Sequence, residues 1–165
     1  MYLLSTSIEI AAPPATVRDK FLDFSSIPEY TPNGFVRSIA PAASDKSPRD
    51  LKPGDQLKCS IGYGKMQISP TLHENTSSTF SWRGSLLGVF AGVHMFHFEE
   101  IPGLGEGQKS RTRFVHEEKF TGVLSFLIGE NFVAKWVGAN EDTRKGFNGF
   151  NQDFKVWVER AESRK

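Results

Sequence analysis

Aromatic and polar residues alternate with charged or outward ones along Val93-His94-Met95-Phe96-His97-Phe98-Glu99, and again along Thr112-Arg113-Phe114-Val115-His116-Glu117-Glu118-Lys119-Phe120. A period of two is the mark of a half-buried strand. The gap between the stretches holds Pro102, Gly103, Gly105 and Gly107, so they are predicted to form a hairpin. With its turn near residues 104–108, Phe98 faces Phe114, Phe96 faces His116 and His94 faces Glu118. One face of the hairpin then carries His94, Phe96, Phe98, Phe114, His116, Glu118 and Phe120. Buried polar groups need partners, and a core made only for stability has little use for two histidines and a carboxylate. A cavity for an apolar molecule with a polar end does.

The rest of the chain follows the same logic. Residues 4–11 alternate weakly and read as a first strand, ended by Pro13-Pro14. Proline suits a first helical turn, and Val17, Phe21 and Phe24 recur at helical spacing. The turn-rich stretch from Ser25 to Gly34 breaks that helix into a second short one. Strands are predicted near 35–40, 55–62, 65–74 and 79–84, and the polar loop from Ala40 to Gly54 is expected to be the most mobile internal segment. Leu86 to Gly92 is apolar with small residues and is expected to act as a gate rather than a strand. Val123 to Val137 reads as a helical segment preceding a long amphipathic helix from about Asn140 to Ala161. Phe147, Phe150, Phe154 and Trp157 fall on one face of that helix. Strands joined by short turns make an antiparallel sheet, and the phenylalanine face of the helix must lie against it.

Composition narrows the function classes. A chain of 165 residues is most simply one domain over residues 1–165, large enough to bury a core without disulfides or metal. The formal charge is +1 and the cations are scattered, which favours neither nucleic acid nor an anionic membrane surface. Cys59 is the single cysteine, which fits a reducing, cytoplasmic setting. The first residues lack the pattern of a signal peptide, and no apolar run approaches the roughly 20 residues of an integral membrane segment. The 14 phenylalanines serve equally as core or as cavity lining.

Several local motifs, in order, resemble the START-like superfamily, also called birch-pollen-allergen-like (SRPBCC), and within it the polyketide cyclase/dehydrase and lipid-transport group. Ala12-Pro13-Pro14-Ala15-Thr16-Val17, Phe21-Leu22-Asp23-Phe24 and Ile27-Pro28-Glu29-Tyr30-Thr31-Pro32 are similar to the opening of that family, with Tyr30 where it usually has Trp. Leu51-Lys52-Pro53-Gly54-Asp55-Gln56-Leu57 resembles its Gly-Asp-x-Leu start of a strand. Phe80-Ser81-Trp82-Arg83-Gly84 with Gly92-Val93-His94-Met95-Phe96, and His116-Glu117-Glu118-Lys119-Phe120-Thr121-Gly122, resemble two further motifs. The resemblance implies an α+β helix-grip fold: a seven-stranded antiparallel sheet curled around a long C-terminal helix, with two short helices. It implies a large apolar cavity between sheet and helix, and no universal catalytic residue. The 127–137 segment looks longer than the usual link and could add a lid.

The candidate site follows from strand parity and the resemblance together. His94, His116 and Glu118 are the catalytic candidates, and they are equally readable as two satisfied core histidines beside a carboxylate. A His–carboxylate pair in a partly dry cavity suits acid–base chemistry such as cyclisation, dehydration or isomerisation. The ligand-facing candidates are Trp82, Phe90, Phe96, Phe98, Phe114, Phe120, Phe147, Phe150 and Phe154, with Tyr63 and Arg83 as weaker ones. His97 falls on the outward parity and His73 near a strand end, so both are expected at the surface. No ligand spacing for metal and no phosphate loop is present, so no cofactor is expected. The expected partner is a hydrophobic small molecule, polyketide-, terpenoid- or lipid-like, bound by a monomer or homodimer. A catalyst and a non-catalytic carrier or sensor both remain compatible with these residues.

Overall fold

A computed structural model describes residues 2–86, 90–105, 107–121 and 130–164, with backbone alone at 2, 85–86, 90–91, 120–121 and 130–140. The chain opens with strand β1 (Tyr2–Ile10), helix α1 (Pro14–Phe21), a single 3₁₀ turn (Phe24–Ser26) and helix α2 (Ile27–Tyr30). Pro14 supplies the first turn of α1, where its missing N–H costs nothing. Strands β2 (Ser38–Pro41), β3 (Leu57–Ile61), β4 (Met66–Ile68), β5 (Thr71–Asn75), β6 (Thr79–Leu86), β7 (Phe90–Ile101) and β8 (Arg111–Thr121) follow, then helix α3 (Glu130–Glu162).

All pairings are antiparallel, and the described strands number eight in two sheets rather than seven in one. The larger sheet has the order β1-β8-β7-β6-β5 and the smaller β2-β3-β4. The extra strand arises at Pro70: the stretch read as one strand over 65–74 is interrupted there, because proline cannot donate to a ladder. An isolated bridge between Gln56 and Thr71 joins the two sheets. The segment 86–92 also differs from expectation. Leu86 ends β6 and Phe90 begins β7, paired with each other, so the ladder runs through most of the expected gate and only 87–89 lies outside the described residues. Helix α3 starts ten residues before the expected Asn140, passing through Gly138 without a break. The expected lid over 127–137 is therefore helix from Glu130, and its first part lies outside the described residues. The 40–54 stretch begins in β2 and includes a single 3₁₀ turn at Pro48–Asp50. It buries Leu51, and Lys46 pairs with Asp55 at 2.5 Å.

Helix α3 lies across the concave face of the larger sheet, and Phe147, Phe150, Phe154 and Val158 are fully buried beneath it. Phe21 of α1 sits at the centre of the packing, with ring centroids 4.6 Å from Phe96, 5.5 Å from Phe98 and Phe80, and 6.0 Å from Phe154. Burying one such ring is worth about 1.5–3 kcal/mol. The edge strand β1 would otherwise present unpaired backbone groups. Side chains of α3 cover it: Arg144 donates to the Ser5 carbonyl at 3.2 Å and Lys155 to the Glu9 carbonyl at 2.7 Å, while Glu159 accepts from the Ala11 amide at 2.8 Å.

Candidate functional site

The β7–β8 register pairs His94 with Glu118, Phe96 with His116 and Phe98 with Phe114, as the alternation predicts. Neighbouring strands add Trp82, opposite His94 on β6, and Thr6, opposite His116 on β1. Strand parity turns Trp82, His94, His116 and Thr6 toward the interior, and α3 closes over them with Phe147 and Asn151.

His94, His116, Asn151 and Thr6 form one hydrogen-bonded chain. His94 Nε2 meets His116 Nε2 at 2.7 Å. His116 Nδ1 meets Asn151 Oδ1 at 3.1 Å, and Asn151 Nδ2 donates to Thr6 Oγ1 at 3.1 Å. Thr6 Oγ1 in turn donates to the His116 carbonyl at 3.5 Å. At the other end, His94 Nδ1 lies 3.4 Å from Glu118 Oε2. Both rings are clamped by stacking. Trp82 lies flat on His94, with centroids 4.6 Å apart and planes 2° apart. Phe147 covers His116 at 3.7 Å and 9°.

Exposure falls along the chain. The Glu118 side chain is 22% exposed, His94 3% and His116 0%. Burial holds the His116 imidazole well below its ordinary value of 6.5, and His94 beside it pushes the same way, against the Asn151 hydrogen bond. His116 therefore stays neutral, with both ring nitrogens occupied. Glu118 is the member that reaches solvent, and it leans on Gly92: a Cβ there would stand 3.2 Å from Glu118 Oε1.

The remaining candidates divide. Trp82 and Phe147 touch the histidines directly, as do Phe96 and Phe150, at 4.5 and 5.7 Å from the His116 ring. Phe98, Phe114 and Phe154 lie farther along, packed ring against ring with Phe21. Phe90 and Phe120 contribute backbone to β7 and β8, and their side chains lie outside the described residues. Arg83 has the opposite parity to Trp82 and is exposed. Tyr63 is 46% exposed at the tip of the β3–β4 turn, with φ of 60° between Gly62 and Gly64. Its ring meets Phe35 at 5.6 Å, and Phe35 meets Phe147 at 5.4 Å, so two rings separate Tyr63 from His116. Tyr63 instead helps wall an outer groove of about 340 Å³ with Tyr30, Phe35, Lys145, Phe150 and Asp153. His73 is exposed, and His97 is part-buried on the outer face between Thr79 Oγ1 at 3.1 Å and Glu117 at 3.6 Å. Burial pushes the Cys59 thiol up to about 12, which leaves it unreactive.

Sequence reasoning missed Thr6 and Asn151. Asn151 carried a signal: it is four residues after Phe147 and three before Phe154, a polar residue inside an apolar helical stripe. Thr6 carried none, since threonine is ordinary in a strand.

A family model described as polyketide cyclase/dehydrase and lipid transport matches residues 1–153. The chain belongs to this family. Solved structures share its START-like helix-grip fold. A START superfamily protein from Mycobacterium smegmatis superposes with a TM-score of 0.64 at 14% identity, covering 98% of this chain and 99% of that one. The ZhuI aromatase/cyclase of Streptomyces sp. R1128 gives 0.62 at 9% identity, covering 96% and 94%. A hypothetical protein of Helicobacter pylori gives 0.65 at 14% identity, covering 95% and 88%. No curated protein matches the chain. For this member of the family, no helix among the described residues is long and apolar enough to cross a membrane.

Proposed function

We propose that the 165 residues act as a single ligand-binding domain for an apolar molecule, polyketide-, terpenoid- or lipid-like, whose carbonyl or hydroxyl group meets the Glu118–His94 pair. The observation that carries this reading is the graded chain from part-exposed Glu118 through His94 to buried His116, set among aromatic rings. Pure packing has no need to run a charged group inward through two imidazoles. With both histidines enclosed, Glu118 is the member that reaches a ligand directly, His94 backs it from beneath, and His116 orients His94. Acid–base chemistry on such a ligand needs a proton donor and acceptor at the carbonyl, and this pair is both. Membership in a family described by cyclase, dehydrase and lipid-transport roles supports the same substrate class.

The test uses acetylnaphthalene, an apolar ketone, against ethylnaphthalene, its hydrocarbon analogue. A hydrogen bond to a charged group contributes about 1.5–3 kcal/mol, so the ketone is expected to bind roughly 10–100-fold more tightly, and E118L, which leaves neither a carboxyl nor an amide donor, to erase most of the difference. Equal affinity for the two probes refutes the polar anchor. In deuterated water, enzyme-catalysed exchange at the acetyl methyl group reports enolisation. If the domain is catalytic, H94A lowers that exchange by roughly 10²–10⁴-fold. Binding without exchange assigns the domain to carriage, a reading favoured by the near-complete burial of both histidines.

A further inference from the structure

The direction of the hydrogen bonds fixes where the site keeps a proton. The Thr6 hydroxyl gives its proton to a backbone carbonyl, an atom that can only accept. Thr6 Oγ1 must therefore accept from Asn151, which turns the amide Nδ2 toward Thr6 and Oδ1 toward His116. His116 then carries its hydrogen on Nδ1 and offers a bare Nε2. His94 must fill the 2.7 Å gap with its own Nε2–H. If His94 were neutral, its Nδ1 would be a second bare nitrogen, 3.4 Å from a carboxylate oxygen. Two acceptors facing each other repel unless a proton lies between them.

We propose that the Glu118–His94 pair stores one exchangeable proton at the exposed end of this chain, and that Thr6 and Asn151 are positioning residues that force it there. The inference rests on the reading of that pair as the polar end of the binding site, and adds its charge state: Glu118 and His94 together are neutral and able to donate. Among the described residues the titratable groups facing His94 are Glu118 and His116. The helix side presents Phe147 and Asn151, which do not titrate. The stored proton suits a ligand oxygen that accepts, such as a ketone, rather than an ammonium or other pure donor.

Ring-nitrogen NMR on the full chain tests this without any ligand. The expected result at about pH 7.5, above the ordinary histidine range, is a neutral His116 protonated on Nδ1 and bare on Nε2, with His94 protonated on both nitrogens. E118Q removes the carboxylate and should strip the Nδ1 proton from His94, leaving its Nε2–H. N151D keeps an acceptor at His116 and should preserve the His116 pattern. A His116 protonated on Nε2, with His94 giving Nδ1–H to Glu118 and bare on Nε2, would overturn the proposal, since the wire would then run the other way with no extra proton. Retention of both His94 protons in E118Q would also overturn it. Should the proton lie where expected while the ketone and hydrocarbon probes bind equally, the binding reading fails and this one stands.

Discussion

His116 couples this site to pH. Its imidazole is buried neutral and held below its ordinary value of 6.5, whereas the unfolded chain takes up a proton near that value. A depressed folded value means the contribution to stability is full above about 6.5 and drains away as pH falls toward the folded value. The slope reaches about 1.4 kcal/mol per pH unit for one proton. Urea unfolding of wild type and H116F side by side, from about pH 7.5 down to about 5, should show this loss in the wild type relative to the variant. In H116F the stack on Phe147 survives and that component of the slope vanishes, while the orphaned Asn151 and His94 groups cost about 1–3 kcal/mol each at neutral pH. An unchanged acid slope in H116F would show that His116 is not the group responsible. The alternating pattern placed His94, His116 and Glu118 on one face because parity is a local property. Asn151 and Thr6 were invisible as partners because their roles depend on a helix and a strand 145 residues apart meeting over one imidazole.

At the scale of elements, α3 offers a paired comparison. Gly146 is pressed against Phe35, where a Cβ would stand 2.5 Å from the ring, while Gly149 has nothing within 4 Å of that position. Both glycines are in the helix interior, so alanine at either gains about 0.5–1 kcal/mol of helical preference. At Gly149 that gain is unopposed, and G149A should raise the melting temperature. At Gly146 the overpacking cost of about 1–3 kcal/mol wins, and G146A should lower it. Two stabilised variants would mean that the helix stands farther from Phe35 than described. F154A removes a fully buried ring that touches Phe21 and Phe114, and denaturant titration should show a loss of about 3–5 kcal/mol. Element boundaries were the least legible part of the fold. Pro70 splits what hydropathy reads as one strand, and Gly138 looks like punctuation although α3 runs through it.

For the whole molecule, the family's order of elements was legible from motifs spread along most of the chain, and the sheet, the gripping helix and the two short helices follow it. Local spacing says less about where empty space lies, because cavity volume is set by how far a helix stands from a sheet. The inner end of the expected lining is filled by its own rings around Phe21, whereas the Glu118 end is part-exposed. The proposed ligand site therefore lies at the Glu118–His94 end, and not in the outer groove beside Tyr63. One titration separates these two places: acetylnaphthalene added to labelled protein, read on the Trp82 indole, the His94 ring and the Tyr63 ring. Trp82 and His94 are expected to shift in saturable step with the ketone while Tyr63 stays fixed. Shifts confined to Tyr63 and its groove, with Trp82 and His94 unmoved, would contradict this placement.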